Sequence, residues 1–244
     1  MSGHSKWHNI QKTKGAQDAK RASMFTKISK EMIVAVKEGG SADPANNSRL
    51  ATVITKARAA NMPNDNIKRV LEKASGAGSG DNYETNTYEG YGSGGVAVIV
   101  ETMTDSRNRT ASNMRHYLDK YGKGMGAPGC VSWSFDKKGV FVIDNEDGDY
   151  DEDTVLMDSL DAGAADFVAE EGCFEIYTDP DDFNAVAAAL EGKGYKFVSA
   201  QVEMVPQNYQ KLESEEDIKN MEKLLDAMED DDDVQNVWHN WDRD

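Results

Sequence analysis

Hydrophobic positions recur with two different periods along the chain, and the change falls near residue 76. In the first part apolar residues return every three or four positions, which is typical of helices that bury one face. The predicted helices cover residues 16–38, 43–61 and 63–75. Further along, short β-rich runs alternate with helical ones. The predicted strands are 96–103, 131–135, 140–143, 166–169, 173–177, 195–205 and 234–239, and the predicted helices are 107–121, 153–162, 181–190 and 215–228.

The order of the later elements predicts two β-α-β-β-α-β units, one nested within the other. Residues 139–199 supply one complete unit. The remaining strands, together with the end of strand 195–205, would form the second. We therefore predict an α+β multidomain protein with an N-terminal three-helix domain and two ferredoxin-like domains. The predicted boundaries are 1–76 for a basic arm and three-helix nucleic-acid-binding domain, 77–136 and 203–244 for a discontinuous middle domain, and 137–202 for an inserted acidic domain.

The first helix has two contrasting sides. At about 100° per residue, its apolar side chains fall within one third of the circumference, and its lysines fall opposite. This pattern predicts one buried face and one exposed lysine stripe. The apolar set is Phe25, Ile28, Met32 and Val36, and the lysine set is Lys20, Lys27, Lys30 and Lys37.

Charge is divided between the two parts of the chain. Residues 1–75 carry 14 Lys and Arg against 6 Asp and Glu, whereas the whole chain has a net charge of −17. A basic segment neutralises phosphates, and an acidic body is repelled by them. We therefore expect nucleic acid to meet the N-terminal end, where the basic arm carries His4, Lys6, Trp7, Lys12 and Lys14.

Several other classes of protein find no support in the sequence. No apolar run approaches the roughly 20 residues that cross a bilayer, and the N-terminus has no apolar signal core. Motifs for a catalytic serine, a Walker lysine or a zinc protease are absent. We predict no catalytic residue, metal, cofactor, membrane or small-molecule substrate. Cys130 and Cys173 are expected to be reduced packing thiols.

Two glycine-rich stretches invite comparison with phosphate-binding loops. Gly90, Gly92 and Gly95 fit GxGxxG, but a strand follows them, whereas a dinucleotide site needs a helix there. We interpret them as tight turns. The second stretch, 122–129, could also turn tightly, or it could let an RNA backbone approach closely.

A positive island lies in the acidic part of the chain. Residues 105–123 hold five Lys and Arg against two Asp, and Arg107, Asn108, Arg109, Arg115 and His116 lie within them. Such residues at the start of a helix suit phosphate or sugar contacts. The alternative is that the arginines pair with carboxylates of their own domain.

The sequence resembles the YebC-like family, which includes a mitochondrial translational activator of cytochrome oxidase subunit one. The resemblance spans almost the whole chain. Ser93, Lys123 and Cys130 depart from residues that many members carry. The matching pieces are Gly3-His4-Ser5-Lys6-Trp7 with Asn9-Ile10, Lys56-Ala57-Arg58-Ala59-Ala60-Asn61-Met62-Pro63, Tyr88-Glu89-Gly90-Tyr91-Gly92, Asp105 to Thr110 with Arg115-His116, and Asp161-Ala162-Gly163-Ala164.

The resemblance implies three domains, a cytoplasmic location and no cofactor, and it implies two functions. Many members are labelled probable transcriptional regulators that bind DNA. Others resemble ribosome-associated translation factors that contact ribosomal RNA or tRNA and relieve stalled peptide-bond formation, for example at consecutive prolines. A third interpretation is an interaction scaffold with a solvated basic end. Lys56 and Arg58 join the candidate nucleic-acid-binding residues given above.

Overall fold

The computed structural model describes residues 17–76 and 82–243, with side chains from residue 21 onward. The basic arm, the side chain of Lys20 and the centre of the glycine-rich linker lie outside the described residues. In chain order the helices are α1 Gln17–Gly39, α2 Ser48–Ala59, α3 Asn64–Ser75, α4 Arg107–Tyr121, α5 Glu152–Ala162, α6 Phe183–Gly192 and α7 Glu215–Glu229. The strands are β1 Glu84–Tyr91, β2 Ala97–Thr104, β3 Gly124–Met125, β4 Phe135–Asp144, β5 Asp166–Glu170, β6 Cys173–Thr178, β7 Ser199–Pro206, β8 Gln210–Lys211, β9 Val234–His239 and β10 Trp241–Asp242.

Helices α1 to α3 share one apolar core, as their periodicity predicts. Ile28, Met32 and Leu50 are fully buried in it. The second helix begins later than expected, at Ser48. Asn47 caps it by accepting a hydrogen bond from the Leu50 N–H, and the same side chain donates to the Ala35 carbonyl oxygen.

One antiparallel sheet has the order β3-β1-β2-β9, with α4 and α7 packed on it. A second has the order β5-β6-β4-β7 and is also antiparallel. The second sheet and helices α5 and α6 form the predicted β-α-β-β-α-β unit. The α+β fold class with an N-terminal helical region is thus confirmed.

The first sheet differs from the prediction in three ways. Strand β1 was missed because most of its residues are polar, and four of its eight residues are exposed. Residues 132–134 form a 3-10 turn rather than part of a strand. Finally, β7 pairs with β4 along its whole length, from Ser199 opposite Val142 to Pro206 opposite Phe135, so it contributes nothing to the first sheet. This sheet is centred on the β1–β2 hairpin and is not a second ferredoxin-like unit.

The helical region packs against both sheets. Ala59, near the end of α2, is buried in the core of the second sheet with Phe141 and Phe183. Asn184 of α6 donates to the Ser48 carbonyl oxygen at 3.1 Å. Within residues 17–76 and 82–243, no helix has the length and apolar character needed to cross a membrane.

Candidate nucleic-acid interface

Two lysines of the predicted stripe on α1, Lys27 and Lys30, form hydrogen bonds within the protein. Lys27 Nζ donates to the Glu229 carbonyl oxygen at 2.8 Å. Lys30 Nζ donates to the Asp232 carbonyl oxygen at 2.7 Å and to Asp233 Oδ1 at 3.4 Å. The prediction of an exposed stripe is wrong for both lysines. The side of α1 that carries them is covered by the acidic turn, residues 229–233, which joins α7 to β9.

Burial has an electrostatic consequence for Lys27. It lowers the pKa of this ammonium group, and the nearby carboxylates of Glu229, Asp231 and Asp232 only partly oppose the shift. The sequence showed neither effect because more than 200 residues separate Lys27 from the turn that covers it.

Asp233 is the last residue of the acidic turn, and its side chain is buried. Its Oδ2 accepts hydrogen bonds from Arg109 Nη2 at 2.7 Å, Thr110 Oγ1 at 3.0 Å and Thr104 Oγ1 at 3.0 Å. Burial alone would raise the pKa of this carboxyl, but these bonds and the charge of Lys30 outweigh it and hold the pKa below its ordinary value. Arg109 therefore helps to hold α4 against the acidic turn, as the internal-pairing alternative supposed.

Lys56 joins the helical region to the first sheet. Its Nζ donates to Glu31 Oε1 at 2.7 Å and to Asn236 Oδ1 at 3.5 Å, and Asn236 donates to Glu101 Oε2 at 2.7 Å. These side chains line a cavity of about 630 Å³ between the helical region and both sheets. Lys56 is therefore paired within the protein, whereas Arg58, two residues on, is exposed.

Helix α4 presents a polar and cationic face to solvent. Asn108 and Arg115 lie almost two turns apart along the helix and mark the middle of this face. Arg107 and His116 lie on either side of them, and all four side chains are exposed. Within the described part of the chain neither Arg107 nor Arg115 forms an ion pair. Internal pairing thus accounts for Arg109 but not for these two. We call Arg107, Asn108, Arg115 and His116 the α4 outer face.

The first glycine motif forms a tight connection between β1 and β2. Gly94 has φ +65°, and a Cβ there would lie 2.1 Å from Leu212 Cδ2. The connection leads into strand β2, not into a helix, and it packs against the first turn of α7, where Ser93 Oγ donates to Asp217 Oδ1 at 2.6 Å. The predicted tight turn is confirmed for Gly92 and Gly95, whereas Gly90 lies within β1 opposite Val98.

The second glycine-rich stretch is held by a buried carboxylate on β1. Glu89 Oε1 accepts from the Gly129 N–H at 2.8 Å, and Oε2 accepts from the N–H groups of Val131 and Ser132, both at 2.9 Å. Burial would raise the Glu89 pKa, but the three backbone donors outweigh it and the pKa is lowered. These three hydrogen bonds tie the loop over residues 126–132 to β1.

Replacing Glu89 with glutamine is expected to destabilise this loop. The amide cannot accept all three N–H bonds, and each buried donor left without a partner costs about 1–3 kcal/mol. Urea unfolding at neutral pH should show a loss in that range, with Glu84→Gln on the exposed part of the same strand as the control. The pKa of Glu89 is lower in the folded protein than in the unfolded chain. The difference in the free energy of unfolding between wild type and variant should therefore shrink as the pH falls through the acid range. Equal stability of the two variants would contradict the assignment.

Two aromatic residues beside this loop were missed as candidates. Trp133 lies in the segment predicted as a strand, yet its side chain is 72% exposed, and Tyr91 is 38% exposed. Trp133 alternates with Ser132 and Ser134 between Val131 and Phe135, so the pattern places it on the buried face of a strand and gives no signal of exposure. Only the 3-10 turn, which replaces that strand, turns the ring outward.

The two cysteines are free thiols. Neither forms a disulfide, and burial raises the pKa of the Cys173 thiol to about 12. Among residues 17–76 and 82–243, no cluster of three or more His, Cys, Asp or Glu is arranged to hold a metal ion. The basic arm, with His4, lies outside this range.

The fold and the α4 outer face define a multidomain α+β protein with a cationic surface on an otherwise acidic body. The family model described as the TACO1/YebC N-terminal domain matches residues 5–77, and the model of the TACO1/YebC second and third domain matches residues 83–241. The chain belongs to the TACO1/YebC family.

Similar proteins extend over essentially the whole chain. A "probable transcriptional regulatory protein" of Ruminiclostridium cellulolyticum is 56% identical over 100% of this chain and 98% of its own length. One of the same description from Finegoldia magna is 54% identical over 99% of each. The crystal structure of a conserved hypothetical protein from Aquifex aeolicus is 39% identical, with a TM-score of 0.80 over 92% of this chain and 91% of that one.

Proposed function

We propose that this protein is a non-enzymatic, nucleic-acid-binding regulator of gene expression that works in the cytoplasm. The α4 outer face makes one contact with the phosphate backbone, and the basic arm makes another through His4, Lys6, Trp7, Lys12 and Lys14. Arg58 contributes from the end of α2. Relatives described as probable transcriptional regulatory proteins support a regulatory role.

The observation that carries the proposal is the availability of Arg107 and Arg115. Both are exposed, and within the described residues neither is paired with a carboxylate, although 44 acidic residues are present in the chain. An arginine guanidinium that remains unpaired on an acidic protein is suited to bind phosphate bidentately. Asn108 adds a donor beside the N-terminus of α4, where the helix dipole also favours an anion.

One observation favours RNA on the ribosome over duplex DNA. The lysine-bearing side of α1 is packed against the acidic turn, so it cannot lie along a duplex in this arrangement. The α4 outer face is short, and together with the basic arm and Arg58 it suits the phosphates of a folded RNA better than an extended duplex. A translation factor that contacts ribosomal RNA or tRNA is therefore the second candidate function.

Direct binding measurements test the common part of both functions. Fluorescence anisotropy with labelled single-stranded RNA, single-stranded DNA and duplex DNA should be recorded between 50 and 300 mM salt. We expect log K to fall linearly with log salt concentration, with a slope of about −0.7 to −0.9 for each phosphate contacted. Absence of binding to all three at 50 mM salt would overturn the proposal.

Sedimentation separates the two candidates. Cell lysate is run on a sucrose gradient with and without ribonuclease, and the protein is detected across the fractions. Movement with ribosomal particles that survives a moderate salt wash supports the translation factor. Absence from those fractions, together with a gel shift on genomic fragments, supports the transcriptional regulator.

A further inference from the structure

Trp133 and Tyr91 form a rigid pair of exposed aromatic side chains beside the second glycine-rich loop. Trp133 Nε1 donates to the Cys130 carbonyl oxygen at 3.0 Å, and the Tyr91 hydroxyl donates to the same oxygen at 3.3 Å. One acceptor thus orients both rings. We call this pair the aromatic platform.

The backbone beneath Trp133 is anchored on both sides. Val131 and Phe135, two residues away in each direction, are buried at 1% and 6% exposure. Glu89 holds the N–H groups of Val131 and Ser132, and the Ser134 N–H donates to the Val131 carbonyl oxygen at 3.0 Å. A tryptophan fixed in this way loses little side-chain entropy when a ligand covers its ring.

Small residues and one lysine border the aromatic platform. Ala127, Pro128 and Gly129 are exposed in the loop, and a Cβ added at Gly129 would meet nothing within 4 Å. Lys123 adjoins Tyr91, because its backbone N–H donates to the Tyr91 carbonyl oxygen at 2.8 Å, and its side chain is exposed. Within residues 17–76 and 82–243, Lys123 forms no ion pair.

We propose that the aromatic platform stacks on an unpaired base of single-stranded nucleic acid, with Lys123 contacting the adjoining phosphate. The polar edges of both rings are already satisfied by Cys130, which leaves their π faces as the groups available to a ligand. Stacking on an aromatic face tolerates any base, and a neighbouring cation tracks the backbone. A duplex keeps its bases stacked inside, so the surface selects loops, bulges or single strands. This inference rests on the proposed function and names the part of the nucleic acid that one surface recognises.

The test compares a labelled ten-nucleotide RNA with the same chain in which the central three nucleotides are abasic. The abasic chain keeps every phosphate, so it reports backbone binding alone. Wild type should bind the complete chain roughly 5- to 150-fold more tightly. Trp133→Ala should abolish that preference, Trp133→Phe should retain most of it, and neither should change the salt dependence. Because Trp133 is exposed, thermal unfolding of both variants should match wild type.

The remaining outcomes distinguish this inference from the proposed function. If Trp133→Ala keeps the wild-type preference, or if wild type never distinguishes the two chains, the aromatic platform is not a base-stacking site, while salt-dependent binding would still support the proposed function. If wild type binds neither RNA chain at 50 mM salt, this inference is overturned, and the proposed function falls with it only if single-stranded and duplex DNA also fail to bind. Loss of ribosome association by Trp133→Ala with RNA affinity unchanged would assign the surface to a protein partner and overturn the inference.

Discussion

Asp233→Asn is expected to lower the free energy of unfolding by about 2–4 kcal/mol, since breaking a buried hydrogen-bonded charge pair strands the partners that remain. The substitution keeps the shape of the side chain but removes its charge. Lys30 loses its carboxylate partner, Arg109 keeps only Asp105, and Thr104 and Thr110 compete for a weaker acceptor. Urea unfolding at neutral pH measures the loss. Asp230→Asn, at an exposed position in the same turn, is the control and should change stability little.

The same carboxylate makes stability depend on pH. The pKa of Asp233 is lower in the folded protein than in the unfolded chain, so its contribution is complete above the ordinary aspartate pKa of about 3.9 and is lost as the pH falls through the folded-state value. The gap between wild type and Asp233→Asn should therefore narrow in acid. A gap that stays constant from neutral pH to pH 3 would show that the charge of Asp233 is not what stabilises the turn.

Replacing both exposed arginines of the α4 outer face, Arg107→Ala with Arg115→Ala, is expected to weaken nucleic-acid binding roughly 10- to 100-fold at 0.1 M salt. Each arginine that no longer neutralises a phosphate lowers the salt-dependence slope by about 0.7–0.9, which amounts to about five- to eightfold in affinity at that concentration. For the pair, the slope of log K against log salt concentration should fall by about one to two. Stability should be unchanged, because neither side chain is paired within the described part of the chain.

Two control pairs make this prediction specific. Lys219→Ala with Lys223→Ala removes the same charge from exposed positions on α7 and should leave binding nearly intact. Lys27→Met with Lys30→Met removes the docked lysines and should cost stability more than affinity. If the α7 pair weakens binding as much as the arginine pair does, the effect is one of net charge, and the α4 outer face is not a specific contact.

Local patterns were sufficient where one segment decides its own structure. The apolar periodicity of α1 and α2 predicted Ile28, Met32 and Leu50 as core residues, and α4 and β9 have the bounds that their sequence patterns gave. The alternation of elements from β4 to β7 was enough to predict a β-α-β-β-α-β unit. Strand β1 was not predicted, because a largely polar strand lacks the alternation of apolar and polar residues that indicates a strand.

The helical region, the complete β-α-β-β-α-β unit and the concentration of positive charge before residue 76 follow from local sequence patterns. Which of those charges remain available depends on how the chain packs. Lys27 and Lys30 meet a turn 202 residues away, and whether a lysine faces solvent or a partner depends on how separate units pack. The exposure of Trp133 likewise depends on a turn in which the N–H groups of Val131 and Ser132 donate to Glu89, more than 40 residues earlier on β1. Periodicity describes one element at a time, whereas burial at the contacts between units is a property of the assembled chain.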